Sequence, residues 1–222
     1  MIPTINSISI HNLLPKVFAG EENSVQIQES DIWLKENTFE KGKRYLISAP
    51  SGAGKSSFCS YIACTRRDYI GKITYNDTDI ATFKMNDICN IRTKAISYMT
   101  QNISLFPELT IMENIILKNR LTGFKSESEI RNMMEVLGIV QFSSRLAAHC
   151  SIGQQQRAQI ITVLCQPFEF LIMDEPVSHL DEDNNTTAAK LISEELDRQG
   201  AGLITTSVGN PLNITNAIHL NL

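Results

Sequence analysis

Two short stretches of this chain concentrate residues able to handle a charged ligand. The first is Ala49-Pro50-Ser51-Gly52-Ala53-Gly54-Lys55-Ser56, followed by Ser57. Its glycines let successive backbone N–H groups turn inward around an anion. A helix starting at the same point adds the positive end of its dipole. Lys55 would neutralise the β- and γ-phosphates of a nucleotide, and the Ser56 hydroxyl would ligate Mg²⁺. The pattern G-x-x-x-x-G-K-[ST] is met except at Ala49, where the first glycine belongs. A methyl group there is tolerated if the backbone keeps a negative φ.

The second stretch is the apolar run Phe170-Leu171-Ile172-Met173, which ends in Asp174-Glu175. A buried strand carries charges only at its end, where a cation or solvent can satisfy them. Asp174 is placed to hold Mg²⁺, directly or through water, and Glu175 to polarise an attacking water. Two carboxylates in tandem suit hydrolysis better than transfer to a second substrate, which needs an acceptor site as well.

Both stretches need elements to position them. Arg44-Tyr45-Leu46-Ile47-Ser48 is a short apolar run that stops at the glycine turn, so it predicts a strand. Phe58, Cys59, Ile62 and Ala63 then recur at helical spacing. Upstream, Ile8-Ser9-Ile10 and Val25-Gln26-Ile27 alternate with period two and predict strands. From about Asp87 to His149 the chain reads as mainly helical. Ser126 with Glu129 forms a capping box, and Ile130, Met133, Met134 and Leu137 mark one face of the helix that follows. Those methionines read as core packing. Ile160, Ile161, Val163 and Leu164 predict another helix; Ala188, Leu191, Ile192 and Leu196 predict one more, followed by the strand Leu203-Ile204-Thr205-Thr206. Buried strands alternating with helices predict a largely parallel sheet covered on both faces.

The 222 residues, 42% of them apolar, suffice for one core, or one core with a small lobe attached. A net charge of -4 leaves no basic field to hold nucleic acid. Cys59, Cys64, Cys89, Cys150 and Cys165 are odd in number and form no C-x-x-C pair, so reduced thiols are expected. Met1-Ile2-Pro3-Thr4-Ile5-Asn6 lacks the basic and apolar regions of a signal peptide. No apolar run approaches the roughly 18 residues of a membrane span, so a link to a membrane is expected to pass through another chain.

Taken in order, the motifs resemble those of the ABC ATPases over nearly the whole chain. Tyr98-Met99-Thr100-Gln101, with Leu105-Phe106-Pro107-Glu108-Leu109-Thr110 and Glu113-Asn114-Ile115 after it, resembles the Q-loop region. Cys150-Ser151-Ile152-Gly153-Gln154-Gln155-Gln156-Arg157 resembles the signature, normally Leu-Ser-Gly-Gly-Gln, and Ser178-His179-Leu180-Asp181 resembles the D-loop. The stretch from Arg92 to Gly123 and the triple glutamine before Arg157 are similar to the branch of lipoprotein-release, macrolide-exporter and cell-division ATPases.

The resemblance implies an α/β fold: a P-loop NTPase (RecA-like) core with a mostly parallel sheet, an N-terminal antiparallel β subdomain and an inserted α-helical subdomain. It implies one ABC ATPase domain over residues 1–222, with 1–86 and 150–222 as the catalytic core and 87–149 as the helical lobe. Its cofactors would be ATP and Mg²⁺. Gln101 would contact Mg²⁺ and the attacking water and relay the nucleotide state into the helical lobe. Ser151, Gly153 and Gln154 would reach the γ-phosphate bound by a second copy, and Asp181 would touch that copy's phosphate loop. Phe18 is open to two readings, a platform for the adenine or a core residue.

Two departures from the family pattern stand out. Ile152 replaces the first signature glycine, and Ser207 stands where the switch histidine is expected. Loss of one preorganised contact to a transition state lowers turnover roughly 10²–10³-fold. The expectation is therefore firm ATP binding with slow or partner-dependent hydrolysis, in a homodimer formed on ATP binding. That dimer would sit in the cytoplasm, peripheral on the inner membrane, against integral membrane permease subunits, with no nucleic acid bound and no insertion of its own. The alternative is an ATP-binding regulatory module that hydrolyses poorly. A soluble ABC protein of DNA repair or translation would need a coiled-coil insertion or a second cassette, for which this length has no room.

Overall fold

The computed structural model describes residues 4–222, so Met1–Pro3, part of the expected absence of a signal peptide, lie outside it. Along the chain come β1 (Ser7–Pro15), α1 (Val25–Glu29), β2 (Glu36–Glu40), β3 (Arg44–Ser48), α2 (Lys55–Ile62), β4 (Tyr69–Tyr75), β5 (Thr78–Asp79), α3 (Met85–Lys94) and β6 (Ile96–Met99). They are followed by α4 (Ile111–Asn119), α5 (Glu127–Val136), α6 (Ile152–Leu164), β7 (Phe170–Asp174), α7 (Glu182–Gln199), β8 (Gly202–Ser207) and β9 (Ala217–Asn221).

The strands form two sheets. One is antiparallel, in the order β2-β1-β4-β5, with Ile8 opposite Phe39 on one side and Tyr75 on the other. The other is parallel throughout, in the order β6-β7-β8-β3-β9. Successive side chains of a strand point to opposite faces, and β7 divides its residues accordingly. Phe170 and Ile172 join a core shared with the antiparallel sheet and α2, around Trp33, Phe39 and Phe58. Leu171 and Met173 join a second core on the other face, with α6, α7 and the helices α4 and α5. A strand buried on both faces must be apolar throughout, which is why Phe170–Met173 shows no alternation.

The capping box at Ser126 is present: the Ser126 hydroxyl accepts from Glu129 N at 3.3 Å, and Glu129 Oε2 accepts from Ser126 N at 2.8 Å. Ile130, Met133, Met134 and Leu137 are all buried. Two expectations need correction. Val25-Gln26-Ile27 lies in a helix, with Gln28 N donating to Ser24 O at 3.0 Å. Only Ile27 is buried while Val25 is 70% exposed, so three alternating residues were too few to separate a strand from one helical turn. Ile96–Met99, inside the stretch read as a helical lobe from residue 87, is the edge strand of the parallel sheet, paired with β7. Its four residues sit at the lower limit of strand length and directly follow a helix, where periodicity does not separate the two.

Candidate functional site

Ligand sites in parallel α/β sheets lie at the carboxyl ends of the strands. Here β3 runs into the glycine loop and β7 into Asp174-Glu175. These two strands do not touch; β8 lies between them. The loop begins as a continuation of the sheet, with Ala49 N donating to Ser207 O at 3.3 Å. Ala49 keeps a negative φ, so the missing first glycine causes no strain there. Gly54 caps α2 with φ 97, and a Cβ on it would sit 2.9 Å from Trp33 Cζ2. Trp33 is fully buried under the loop and donates from Nε1 to Ala53 O at 3.1 Å. Gly54→Ala should therefore lower stability by about 1–3 kcal/mol in urea unfolding. Gly52→Ala, which has φ 85 but open space, should cost less.

A cleft of about 250 Å³ is lined by Ser51, Gly52, Gly54, Lys55, Ser56 and Ser57, together with Gln101 and Glu175. Lys55 is 5% exposed. Its Nζ donates to Pro50 O at 2.9 Å and Ala49 O at 3.1 Å, and lies 3.6 Å from Glu175 Oε1. Ser56 Oγ donates to Gln101 Oε1 at 3.4 Å. Asp174 is buried and accepts at Oδ1 from the Thr206 hydroxyl at 2.7 Å. Beside it, burial first and the Asp174 carboxylate next push the Cys59 thiol well up, so it stays neutral. Glu175 has φ 50, a value uncommon for a residue with a side chain and often found where function holds the backbone under strain.

Gln101 lies on a segment fastened at both sides. Gln159 on α6 donates from Nε2 to Thr100 O, Asn102 O and Ser104 Oγ at 3.1–3.2 Å. Asn114 on α4 accepts from Phe106 N at 2.7 Å and donates to Phe106 O and Thr110 O. Thr110 and Glu113 form the capping box of α4. Phe18 ends a 3-10 helix after β1 and packs against the core, with Cε2 3.3 Å from the place of a Gly54 Cβ.

The remaining expected residues do not line this cleft. Ser151 caps α6 in a capping box with Gln154, and both it and Ile152 are exposed. Gly153 leaves little space, a Cβ there coming 3.2 Å from His179 O. Asp181 is an exposed cap of α7, its carboxyl held below the usual range by hydrogen bonds from Asn184. Ser207 ends β8 buried, with its hydroxyl enclosed and without a hydrogen-bond partner among the described residues.

Several residues at the site carry no role that the sequence alone assigns. Thr206 bridges to the acidic pair. Gln156, fully buried, donates to Ser178 Oγ at 3.2 Å and accepts from His179 N at 3.0 Å, tying α6 to the segment after Glu175. Arg157 joins Leu137 O, Gly153 O and Asn184 Oδ1. The triple glutamine was the one available signal for Gln156. Trp33, the only tryptophan, carried none.

A glycine loop capping a helix, its lysine facing the acidic end of a parallel strand, defines a P-loop NTPase. The profile of the ABC transporter family matches residues 36–178, well over half of the chain, and the chain belongs to that family. It is 31% identical over 170 residues to the cell division ATP-binding protein FtsE of Bacillus subtilis (strain 168), covering 75% of this chain and 74% of that one. It is 26% identical over 166 residues to the macrolide export ATP-binding/permease protein MacB of Marinobacter nauticus, covering 73% of this chain and 26% of that much longer one. The chain thus sits in the cell-division and macrolide-export branch of the ABC ATPases. The solved dimeric structure of MJ0796, a bacterial ABC transporter cassette, superimposes with a TM-score of 0.77 at 20% identity, over 96% of this chain and 94% of that one. The fold is that of the cassette.

Proposed function

We propose that this chain is the ATP-hydrolysing subunit of an ABC complex, in which two copies close around Mg-ATP and drive a membrane partner. The observation that supports this most is the convergence of Lys55, Ser56, Gln101 and Glu175 on one cleft, with Asp174 beside them. Loop amides and the N-terminus of α2 hold the phosphates, and Lys55 turns from its carbonyl partners to the β- and γ-phosphate oxygens. Phe18, at the edge of the loop, offers one ring face to the adenine.

The donors present fit Mg²⁺, a hard cation that takes hydroxyl, amide and carboxylate oxygens. Ser56 and Gln101 already meet at 3.4 Å, and Asp174 supplies the charge. Bound there, the metal would neutralise phosphate charge. Glu175 takes the proton of the attacking water. Ser151 and Gly153 serve the cleft of the second copy, and Asp181 meets its phosphate loop. Exposed Ile152 leaves that contact bulkier than glycine would.

A groove of about 310 Å³ lies between the fastened Gln101 segment and α4, lined by Tyr98, Ser104, Leu105, Phe106, Leu117 and Leu121 among others. Phe106, Leu117 and Leu121 are 55%, 43% and 63% exposed. We assign it to a cytoplasmic helical segment of the membrane partner, because the groove shares its wall with the segment that carries Gln101. Among the described residues no helix is long and apolar enough to cross a membrane.

A second reading, a nucleotide-driven clamp that hydrolyses poorly, is favoured by the enclosed Ser207 hydroxyl. Isolating the protein from its host membrane and following single-turnover phosphate release separates the two. An integral membrane protein should co-purify, and release should exceed that of Glu175→Gln. Release no greater than that control leaves the clamp alone.

A further inference from the structure

The sheet order puts β8 between the strand that leads to the phosphate loop and the strand that carries the acidic pair. Parallel register sets Thr206 opposite Asp174, on the same face, and both are 1% exposed. The Thr206 hydroxyl is used twice. It gives its single proton to Asp174 Oδ1 at 2.7 Å and accepts the backbone N–H of Glu175 at 3.2 Å. One oxygen atom thereby fixes how the first carboxylate is turned and holds the peptide that starts the second residue, whose φ of 50 needs an external restraint. Its neighbours Thr205 and Ser207 alternate to the other face, where their hydroxyls have no partner among the described residues.

We propose that Thr206 is a positioning residue for hydrolysis: its hydroxyl sets the mutual geometry of Asp174 and Glu175. Buried at 1% exposure, it acts through both carboxylates. With Oδ1 engaged, the other carboxylate oxygen is left for the cation, and Glu175 is kept turned toward the cleft that Lys55 lines. The proposal rests on the roles given above to Asp174 and Glu175, so its test includes a measurement that needs no turnover.

Thr206→Val keeps the shape and removes the hydroxyl; Thr206→Ser restores it. Loss of a hydrogen-bonding partner behind a metal ligand typically costs 10–100-fold, so kcat of Thr206→Val should fall about 10–100-fold. KM for Mg-ATP should move less than about threefold, the pattern of an interaction that matters in the transition state rather than in binding. Thr206→Ser should return kcat to within about threefold of the native protein. In protein without nucleotide, the Glu175 amide should exchange with solvent faster in Thr206→Val than in the native protein and Thr206→Ser, as followed by NMR. Unchanged kcat with unchanged amide protection overturns the proposal. So does a kcat loss that Thr206→Ser fails to rescue, or one matched by an equal rise in KM. If the native protein binds Mg-ATP but turns over none, the amide measurement decides alone. If it binds none, the proposed function fails, while the exchange result still reports on Thr206.

Discussion

Replacing Lys55 with alanine is expected to abolish saturable Mg-ATP binding at accessible nucleotide concentrations. Lys55 is the one cationic side chain among the described residues that line the cleft, and a triphosphate brings several negative charges to it. Its ammonium is nearly buried, so each contact it makes is little weakened by water. Removing one partner of such a desolvated charge pair costs about 2–5 kcal/mol, equivalent to roughly 30- to several-thousand-fold in Kd. Isothermal titration of native and variant protein reads this directly. The fold should survive, because the substitution removes two bonds to loop carbonyls and one ion pair at 3.6 Å but leaves the Trp33 floor in place. A variant that binds as tightly as the native chain would mean the phosphates are held elsewhere.

Glu175→Gln is expected to separate binding from chemistry. The amide matches the carboxylate in shape but takes no proton from water, and loss of a general base lowers turnover about 10²–10⁴-fold. Binding should persist or tighten, since a negative charge 3.6 Å from Lys55 disappears and the lysine is freed for phosphate. With hydrolysis stopped, a nucleotide-held dimer should accumulate and appear as a doubled mass in light scattering when Mg-ATP is added. If phosphate release continued at the native rate, the attacking water would have to be activated by another group.

The core of the site is legible in the sequence because each part is local. The phosphate loop is eight consecutive residues, and the acidic pair closes one apolar strand. A capping box announces itself at a spacing of three, as at Ser126 with Glu129; those at Thr110 and Ser151 emerged with the structure. What stayed hidden depends on neighbours distant in sequence. Thr206 gains its role from β8 lying beside β7, a strand 32 residues earlier by the Asp174 contact. Trp33 matters because Gly54 and Ala53 rest on it. Val25–Ile27 misled because three residues cannot distinguish two periods, and β6 because four residues next to a helix are too few to stand apart. Ser207 was placed by motif order alone, and its surroundings, an enclosed hydroxyl without a partner, come from packing that no linear pattern reports.

The fastening of the Gln101 segment has a mechanical consequence. Gln159 grips it at Thr100, Asn102 and Ser104, and Asn114 grips it again at Phe106. Between those anchors the Gln101 side chain is the one that lines the phosphate cleft. Under the proposed function, a pull on a segment tied to two helices would be passed to α4 and α6 together. On the function proposed above, the cassette would work as a rocker arm, with one end at Ser56 and the other at the apolar groove.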